Sequence, residues 1–225
     1  MRVVIVGGGL AGSSLGQTLA DLGHHVTLID RDPSIAARSF EHGLATIVGD
    51  GTEPRILREA DVASADVVAA MLRRDADNLA VAAIARAQGA KRILARLRDP
   101  DYRRVYADAG IDQVFSEIET MVGALSVAIE HPRVQHSMVL GKGESIAFEI
   151  NVPPGARVAG QTVRELGTAE GFPHAAVVAG IAPPDGPVVV PRGDARVNEG
   201  DAVLLVAKRE DVAAAIAFLC ARRES

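Results

Sequence analysis

The sequence predicts an α/β protein in which a doubly wound parallel sheet is followed by a smaller α+β domain. From Arg2 to Phe115, short apolar runs alternate with helical patterns, which indicates βαβ units and a sheet that is buried on both faces. After Pro132 the pattern changes to short alternating strands separated by turn-rich segments such as PPDGP, which is typical of a small α+β unit. A length of 225 residues suits one or two domains.

Six strands are expected in the first half of the chain, and six fit a complete doubly wound sheet. They are predicted over residues 3–6, 26–30, 45–48, 67–70, 92–95 and 113–115. The helices between them are predicted over residues 10–22, 33–42, 53–59, 75–88 and 101–108.

A further amphipathic helix is predicted over residues 117–130 and ends before Pro132. Its apolar residues recur at helical spacing: Ile118, Met121, Val122, Leu125 and Ile129. The helix is either a crossover or dimer-contact element or a helix that packs on its own sheet. In the remaining chain we expect strands over residues 145–152, 175–182, 188–190 and 202–207, and a closing helix over residues 211–220.

Composition excludes several classes of function. The formal net charge is −5 and aromatic residues make up 3% of the chain, whereas nucleic-acid binding needs a basic surface and aromatic stacking. We therefore expect no nucleic-acid partner. No apolar run approaches the roughly 20 residues of a membrane span. The single cysteine, Cys220, excludes an internal disulfide and suits a reducing cytoplasm; its apolar neighbours predict a core or interface position.

Gly7, Gly9 and Gly12 form a G-x-G-x-x-G motif between a predicted strand and a predicted helix. In dinucleotide-binding folds the first glycine permits a tight turn, the second admits a pyrophosphate, and the third allows close packing of helix on strand. The following helix N-terminus offers free N–H groups to phosphates, to which Ser13 and Ser14 could add hydroxyl contacts. The motif favours a Rossmann-like nucleotide site, and the alternative is a relic with an empty crevice.

Asp30 ends the next predicted strand, 18 residues after Gly12. A carboxylate at this place accepts hydrogen bonds from ribose hydroxyls and repels a 2′-phosphate. This disfavours NADP, although the neighbouring Arg31 leaves NADP open.

Asp50, Gly51 and Thr52 follow the third predicted strand. Ligands of open parallel sheets bind at the carboxyl ends of the strands, so Asp50 and Thr52 are expected on the adenine side. The competing role for Thr52 or Glu53 is to cap the next helix.

Several segments resemble the RCK/KTN domain of Trk- and Ktr-type potassium-uptake regulatory proteins: GGGLAG with LIDRD, IVGDGT, DADN and AKRILARLRDP. FEINVPPGARVAGQTVRELG and VVVPRGDARVNEGDAVLLVAKRED resemble the TrkA-C (RCK-C) domain of the same family. The resemblance covers nearly the whole chain, and its second half is more specific because ordinary dehydrogenases lack it. It implies a Rossmann-like domain over residues 1–135 and a TrkA-C domain over residues 136–225.

The resemblance further implies a cytoplasmic regulatory subunit that forms homo-oligomers, from a dimer to an octameric ring, under a membrane potassium transporter or channel. The first domain would bind NAD(H) or ATP/ADP, and the ring would change shape with the ligand. By position, phosphates would be held by Gly7, Gly8, Gly9, Leu10 and Ala11, ribose by Asp30, and the adenosine side by Leu72 and Arg73, with Arg96 pointing at the ligand and Glu117 near the ligand or a neighbouring subunit.

Two departures from the family pattern concern phosphate recognition. Leu10 stands where the family often has a basic residue after the second motif glycine. Arg73 and Arg74 follow the fourth strand in place of threonine and acidic residues. They either supply the missing positive charge for phosphate or are solvent-exposed residues at the start of a helix. Some relatives bind cyclic di-AMP in the second domain beside an apolar-apolar-x-Pro segment. Residues 189–192 resemble that segment only loosely.

The main rival to a regulatory role is an NAD-dependent oxidoreductase, which needs an acid, a base or an arginine clamp for its substrate. The candidates after residue 132 are His136, Lys142, His174 and Arg192, and none has a recognisable partner. Metal-ligand clusters and a Walker Gly-Lys-Ser/Thr motif are absent from the sequence. We therefore expect no enzymatic activity. A third possibility is a free-standing nucleotide sensor with another partner.

Overall fold

The computed structural model describes residues 1–141 and 143–223. The chain divides into two compact units, Met1–Ile118 and Glu119–Ser225. The predicted division into domains between residues 135 and 136 stays a prediction.

The first unit is a six-stranded parallel sheet with strand order β3-β2-β1-β4-β5-β6. This order is that of a doubly wound sheet, with its topological switch between β1 and β4. The strands are β1 (Arg2–Val6), β2 (His25–Asp30), β3 (Ala45–Val48), β4 (Val67–Ala70), β5 (Ile93–Leu97) and β6 (Gln113–Ser116). The predicted fold class is thereby confirmed.

Helices cover the sheet because its central strands are apolar throughout. Every residue of β4 is buried, as are the four valines and isoleucines of β1, so neither face of these strands meets water. The helices are α1 (Leu10–Asp21), α2 (Pro33–Glu41), α3 (Pro54–Glu59), α4 (Asp75–Ala87) and α5 (Arg103–Asp108), with a 3₁₀ turn at Pro100–Tyr102. Local chemistry sets their starts: Asp32 caps α2 by accepting a hydrogen bond from the Ser34 amide at 2.9 Å, and Pro33 occupies the first turn.

The second unit contains an antiparallel sheet with order β7-β8-β10-β9. Its elements are α6 (Glu117–Glu130, which begins in the first unit), β7 (Val134–Leu140), β8 (Ser145–Asn151), α7 (Val163–Thr168), β9 (Ala176–Ala182), β10 (Ala202–Lys208) and α8 (Val212–Cys220), with a 3₁₀ turn at Arg209–Asp211. Alternate residues of β8 are buried, among them Phe148, which shares one apolar core with Leu205 of β10 and Phe218 of α8.

In the second unit one predicted strand was wrong and two elements were not predicted. Residues 188–190 do not form a strand: Val189 makes only an isolated bridge to Ile181, since prolines flank the segment on both sides. The sequence reasoning missed β7, because a register shift between Val134 and His136 disrupts the alternating pattern. It also missed α7, which has only six residues.

Helix α6 is apolar on two opposite sides. Val127 is fully buried in the core of the second unit. The stripe on the other side is exposed, and we call it the α6 stripe: Ile118, Met121, Val122, Leu125 and Ile129. The buried side of the helix thus belongs to the core of the second unit and not to the cores of the parallel sheet, and a role as a crossover or dimer-contact element stays a prediction.

Candidate nucleotide-binding site

A cavity of about 950 Å³ lies at the carboxyl ends of the parallel strands in the first unit. This is the edge of a doubly wound sheet at which ligands bind, and the volume is in the range of small-molecule sites. All predicted site residues except Gly8 line the cavity, namely Gly7, Gly9, Leu10, Ala11, Gly12, Asp30, Arg31, Asp50, Gly51, Thr52, Leu72, Arg73 and Arg96.

The glycine loop can be built only from glycine at two of its positions. Gly7 has φ +111°, and a Cβ there would lie 2.9 Å from the backbone of Met71. A Cβ on Gly12 would lie 1.9 Å from the carbonyl oxygen of Gly7. Gly9 differs, since a Cβ there would meet no protein atom within 4 Å. Because Gly9 lines the cavity and no side chain caps α1, the first N–H groups of this helix are open to an anion.

Gly8 and Ser13 support the loop from behind. The Gly8 amide donates to Asp30 Oδ2 at 2.7 Å, and its carbonyl accepts from Ser13 Oγ at 2.7 Å. A Cβ on Gly8 would lie 2.6 Å from Leu28 and 2.7 Å from Ile35. Ser13 thus serves the loop rather than the cavity, contrary to the expectation that it lies ready to contact a phosphate.

Asp30 is oriented by two backbone amides. Its Oδ2 accepts from Gly8 and its Oδ1 accepts from Asp32 at 2.9 Å. Each carboxylate oxygen has more than one lone pair, so both retain capacity to accept from a pair of hydroxyl groups. The arrangement can bind a ribose.

Asp50 and Thr52 form a rigid corner at the end of β3. Asp50 Oδ1 accepts from the Thr52 amide at 2.9 Å and from the Thr52 hydroxyl at 2.7 Å. The Thr52 hydroxyl and then its amide lower the pKa of Asp50, so its carboxylate is charged at neutral pH. Neither predicted capping role holds: Thr52 is bonded to Asp50, and Glu53 occupies the N-cap of α3 without a side-chain hydrogen bond.

The charges on the cavity wall are mixed. Arg96 is 19% exposed and binds Glu117, with Nε 2.9 Å from Oε2 and a second bond from Nη2. Arg74 lies 4.0 Å from Asp77, which fits a residue at the start of a helix. Leu10 is 91% exposed at the mouth of the phosphate loop, where a basic residue was expected from the family pattern.

Sequence reasoning missed three residues that lie behind this wall: Asp75, Asn78 and Tyr106, which are buried and bonded to its backbone. The signal was present as DADN at the start of α4. The role of these residues could not be predicted from the sequence, because Asp75 and Asn78 bond the backbone of residues 96–99, which follow later in the chain.

The residues considered for catalysis are elsewhere. The cavity is lined by residues between 7 and 117, which do not include His136, His174 or Arg192. Lys142 lies outside the described residues. Within residues 1–141 and 143–223, no group of three or more histidine, cysteine, aspartate or glutamate side chains is placed to hold a metal ion. In the same part of the chain, no helix is long and apolar enough to cross a membrane.

Fold and cavity together define a Rossmann-like domain with a candidate nucleotide site, followed by a small antiparallel domain. Family comparison is more specific: residues 3–117 match the TrkA-N domain and residues 147–219 match the TrkA-C domain. The chain belongs to the family of Trk system potassium uptake proteins TrkA, as the resemblance predicted.

Relatives of known name support this assignment along the whole chain. A Trk system potassium uptake protein TrkA homolog from Methanothermobacter thermautotrophicus is 30% identical over 213 residues, which cover 94% of this chain and 96% of the relative. The Mycobacterium tuberculosis TrkA protein is 28% identical over 212 residues, covering 93% of this chain and 94% of the relative. An Archaeoglobus fulgidus homolog is 30% identical over 216 residues, but this chain spans only 48% of its length.

Solved structures share the fold. The "GsuK channel bound to NAD" superposes with a TM-score of 0.67 at 20% identity, covering 100% of this chain and 40% of that chain. The crystal structure of the GsuK RCK domain gives a TM-score of 0.67 at 20% identity, covering 99% of this chain and 48% of that one. At this identity the likeness establishes the fold.

Proposed function

We propose that the chain is a nucleotide-binding regulatory subunit of a Trk/Ktr-type potassium uptake system, with NAD(H) or ATP/ADP as its ligand. One observation carries the proposal: a chain of the TrkA family has an uncapped helix N-terminus and an oriented aspartate on the same cavity. These are the two features that recognise the phosphates and the ribose of a nucleotide.

The residues fit a nucleotide in a definite order along the sheet edge. The amides at the start of α1, beside Gly9, would hold phosphate groups, and Asp30 would accept from the ribose hydroxyls. Asp50, Thr52 and Leu72 would form the adenosine side. The GsuK channel has been solved with NAD bound and with ADP bound, which supports this choice of ligand class.

Regulation would arise by a population shift. A ligand changes a conformational equilibrium only as far as it binds the two states with different affinity. Arg96 lines the cavity and bonds Glu117, the first residue of α6. A ligand phosphate would compete with Glu117 for Arg96, and the changed contact would favour another arrangement of the assembly. The proposal contains no chemical step, and the chain would not act as an enzyme.

Self-association and cytoplasmic location belong to the same proposal. The α6 stripe is an apolar surface on a helix whose other side is already buried, and such surfaces mark interaction sites. We infer that copies of the chain associate through it into a dimer or a larger ring. The assembly would lie in the cytoplasm and meet the membrane through a potassium transporter. Cyclic di-AMP binding in the second unit stays a prediction.

Potassium uptake in the native host tests the proposal. A strain that lacks the gene should take up potassium poorly or without normal control. The unsubstituted chain should restore uptake, whereas Asp30→Asn should restore it only in part. Normal uptake without the gene would contradict the role in potassium transport. If Asp30→Asn restores potassium uptake fully, the role in potassium transport does not depend on the nucleotide site.

A further inference from the structure

A buried polar cluster lies behind the cavity wall that is formed by the ends of β4 and β5. Its members are Asp75, Asn78 and Tyr106, which are 7%, 0% and 0% exposed. Buried polar groups are costly unless they are hydrogen-bonded, so each bond of the cluster restrains whatever it holds.

Asn78 joins the backbone that follows β4 to the backbone of β5. Its Oδ1 accepts from the Leu72 amide at 2.8 Å, and its Nδ2 donates to the Leu72 carbonyl at 3.2 Å. The same Nδ2 donates to the Arg96 carbonyl at 3.1 Å. Both amide hydrogens are thereby engaged on backbone. Asn78 therefore fixes the segment after β4 against the end of β5.

Tyr106 and Asp75 complete the restraint at the end of β5. The single hydrogen of the Tyr106 hydroxyl is shared between two acceptors, the Arg96 carbonyl at 3.1 Å and Asp75 Oδ1 at 2.9 Å. Asp75 in turn accepts from the amides of Arg98 and Asp99, each at 3.0 Å. Burial and the neighbouring Asp75 raise the pKa of Tyr106, so its hydroxyl keeps its proton for this bonding.

The residues held in this way carry side chains that line the cavity, Leu72 and Arg96 among them. The cluster itself is not among the lining residues. We propose that Asn78 and Tyr106 are positioning residues of the nucleotide site, which set the place of Leu72 and of the Arg96 guanidinium without touching the ligand. The inference rests on the proposed function, because it assigns a further role at the same site.

The conservative variant Tyr106→Phe isolates this role. It keeps the ring in the core, leaves Arg98 on Asp75 Oδ1 and leaves Asn78 on the Arg96 carbonyl, so the fold should persist. Loss of one restraint should weaken binding of NAD⁺ and ADP by about threefold to tenfold, the usual range for one hydrogen bond. The matched control is Tyr102→Phe, which removes a hydroxyl from the ring that packs edge-on against Tyr106 at 6.4 Å.

A double-mutant cycle separates positioning from general weakening. Affinities of NAD⁺ and ADP are measured calorimetrically for the unsubstituted chain, Tyr106→Phe, Arg96→Ala and the double variant, with thermal midpoints recorded for each. If Tyr106 acts through Arg96, Tyr106→Phe should lower affinity in the first background and change nothing once the guanidinium is gone. Tyr102→Phe should leave affinity unchanged.

Two outcomes would overturn the inference, and they are distinct. If the unsubstituted chain binds nucleotide and Tyr106→Phe binds it with the same affinity, Tyr106 has no positioning role. The same conclusion holds if Tyr106→Phe lowers the affinity equally with and without the Arg96 side chain. In both cases the proposed function still stands. Failure of the unsubstituted chain to bind NAD⁺ and ADP, and also NADH and ATP in parallel titrations, contradicts the proposed function, and the positioning role falls with it.

Discussion

The Asp30 carboxylate is held in one orientation by backbone amides of the loops beside it. The Gly8 and Asp32 amides fix the carboxylate, and the Gly8 amide is available because Ser13 and the packing of Leu28 and Ile35 hold that glycine in place. The aspartate and the phosphate loop are thus one structural unit. A substitution at Asp30 should change affinity for the ribose more than it changes the fold.

We predict that Asp30→Asn weakens NAD⁺ binding by about tenfold or more, because a charged acceptor for two hydroxyls is lost. The preference for NAD⁺ over NADP⁺ should also shrink, since the charge that repels a 2′-phosphate is gone. Calorimetric titration with both dinucleotides measures the two effects.

The control for that variant is Asp32→Asn, which makes the same charge change on the same cavity and retains a capping residue for α2. Removing a negative charge should slightly favour an anionic ligand at either position. Equal affinities in the two variants would mean that Asp30 does not contact the ribose.

At the residue scale, the sequence predicts what local spacing encodes. Gly7, Gly12 and Asp30 belong to one βαβ unit and line the cavity at the strand ends, and their roles toward a ligand stay predictions. Arg96 and Glu117 are 21 positions apart, the bond from Asn78 to the Arg96 carbonyl spans 18 positions, and the bond from Tyr106 to Asp75 spans 31 positions. Such partners depend on how loops of separate strands meet, which periodicity does not reveal.

Among the helices and strands, α6 stands out because one of its apolar sides is exposed. A helix that is apolar on opposite sides is usually buried on both, yet in one chain only the side with Val127 is covered. Leu125, in the middle of the α6 stripe, is 52% exposed. The stripe therefore offers a surface for a second copy.

We predict that Leu125→Glu lowers the molar mass measured by size-exclusion chromatography with light scattering, because a carboxylate cannot be buried unpaired in an apolar contact. Leu22→Glu is the control, since it makes the same change at a leucine that is 69% exposed outside α6. An unchanged mass for Leu125→Glu would exclude the α6 stripe as the contact.

Elements of the second unit show where sequence signals were present but weak. Helix α7 begins with a capping box, in which Thr162 and Glu165 bond each other's backbone. The helix is too short for an apolar period to be visible. Strand β7 is hidden for a different reason, namely the register shift near its start. In the first unit the regular alternation of strands and helices reveals even the six-residue helices α3 and α5, and the bounds of its elements lie within two residues of those predicted.

For the whole molecule, charge interactions predict sensitivity to acid that is concentrated in the first unit. Hydrogen bonds and nearby cations lower the pKa values of Asp32, Asp50, Asp61, Asp66 and Asp112. In the described part of the second unit, hydrogen bonds from Thr162 lower the pKa of Glu165 in the same way. A depressed folded-state pKa means that the unfolded chain binds more protons, so stability is present above the unfolded pKa and is lost as pH falls.

We predict that the thermal midpoint of the first unit falls as pH drops below about 4, the ordinary pKa range of aspartate. Asp112 accepts from the Ile93 amide at 2.7 Å and from Arg86 at 2.6 Å, so Asp112→Asn should make the midpoint less dependent on pH. Calorimetric scans between pH 7 and about 3 measure the slope. Asp108→Asn, at a side chain that is 75% exposed, is the control; equal slopes in the two variants would contradict the assignment.

Nucleotide binding in the first unit is the central claim, and isothermal titration calorimetry of the purified chain tests it most directly. NAD⁺, NADH, ADP and ATP are titrated in turn into the unsubstituted chain and into Asp30→Asn. The account predicts saturable one-site binding of at least one of the four, weakened in the variant. No binding of any of them, or binding that Asp30→Asn leaves unchanged, would contradict it.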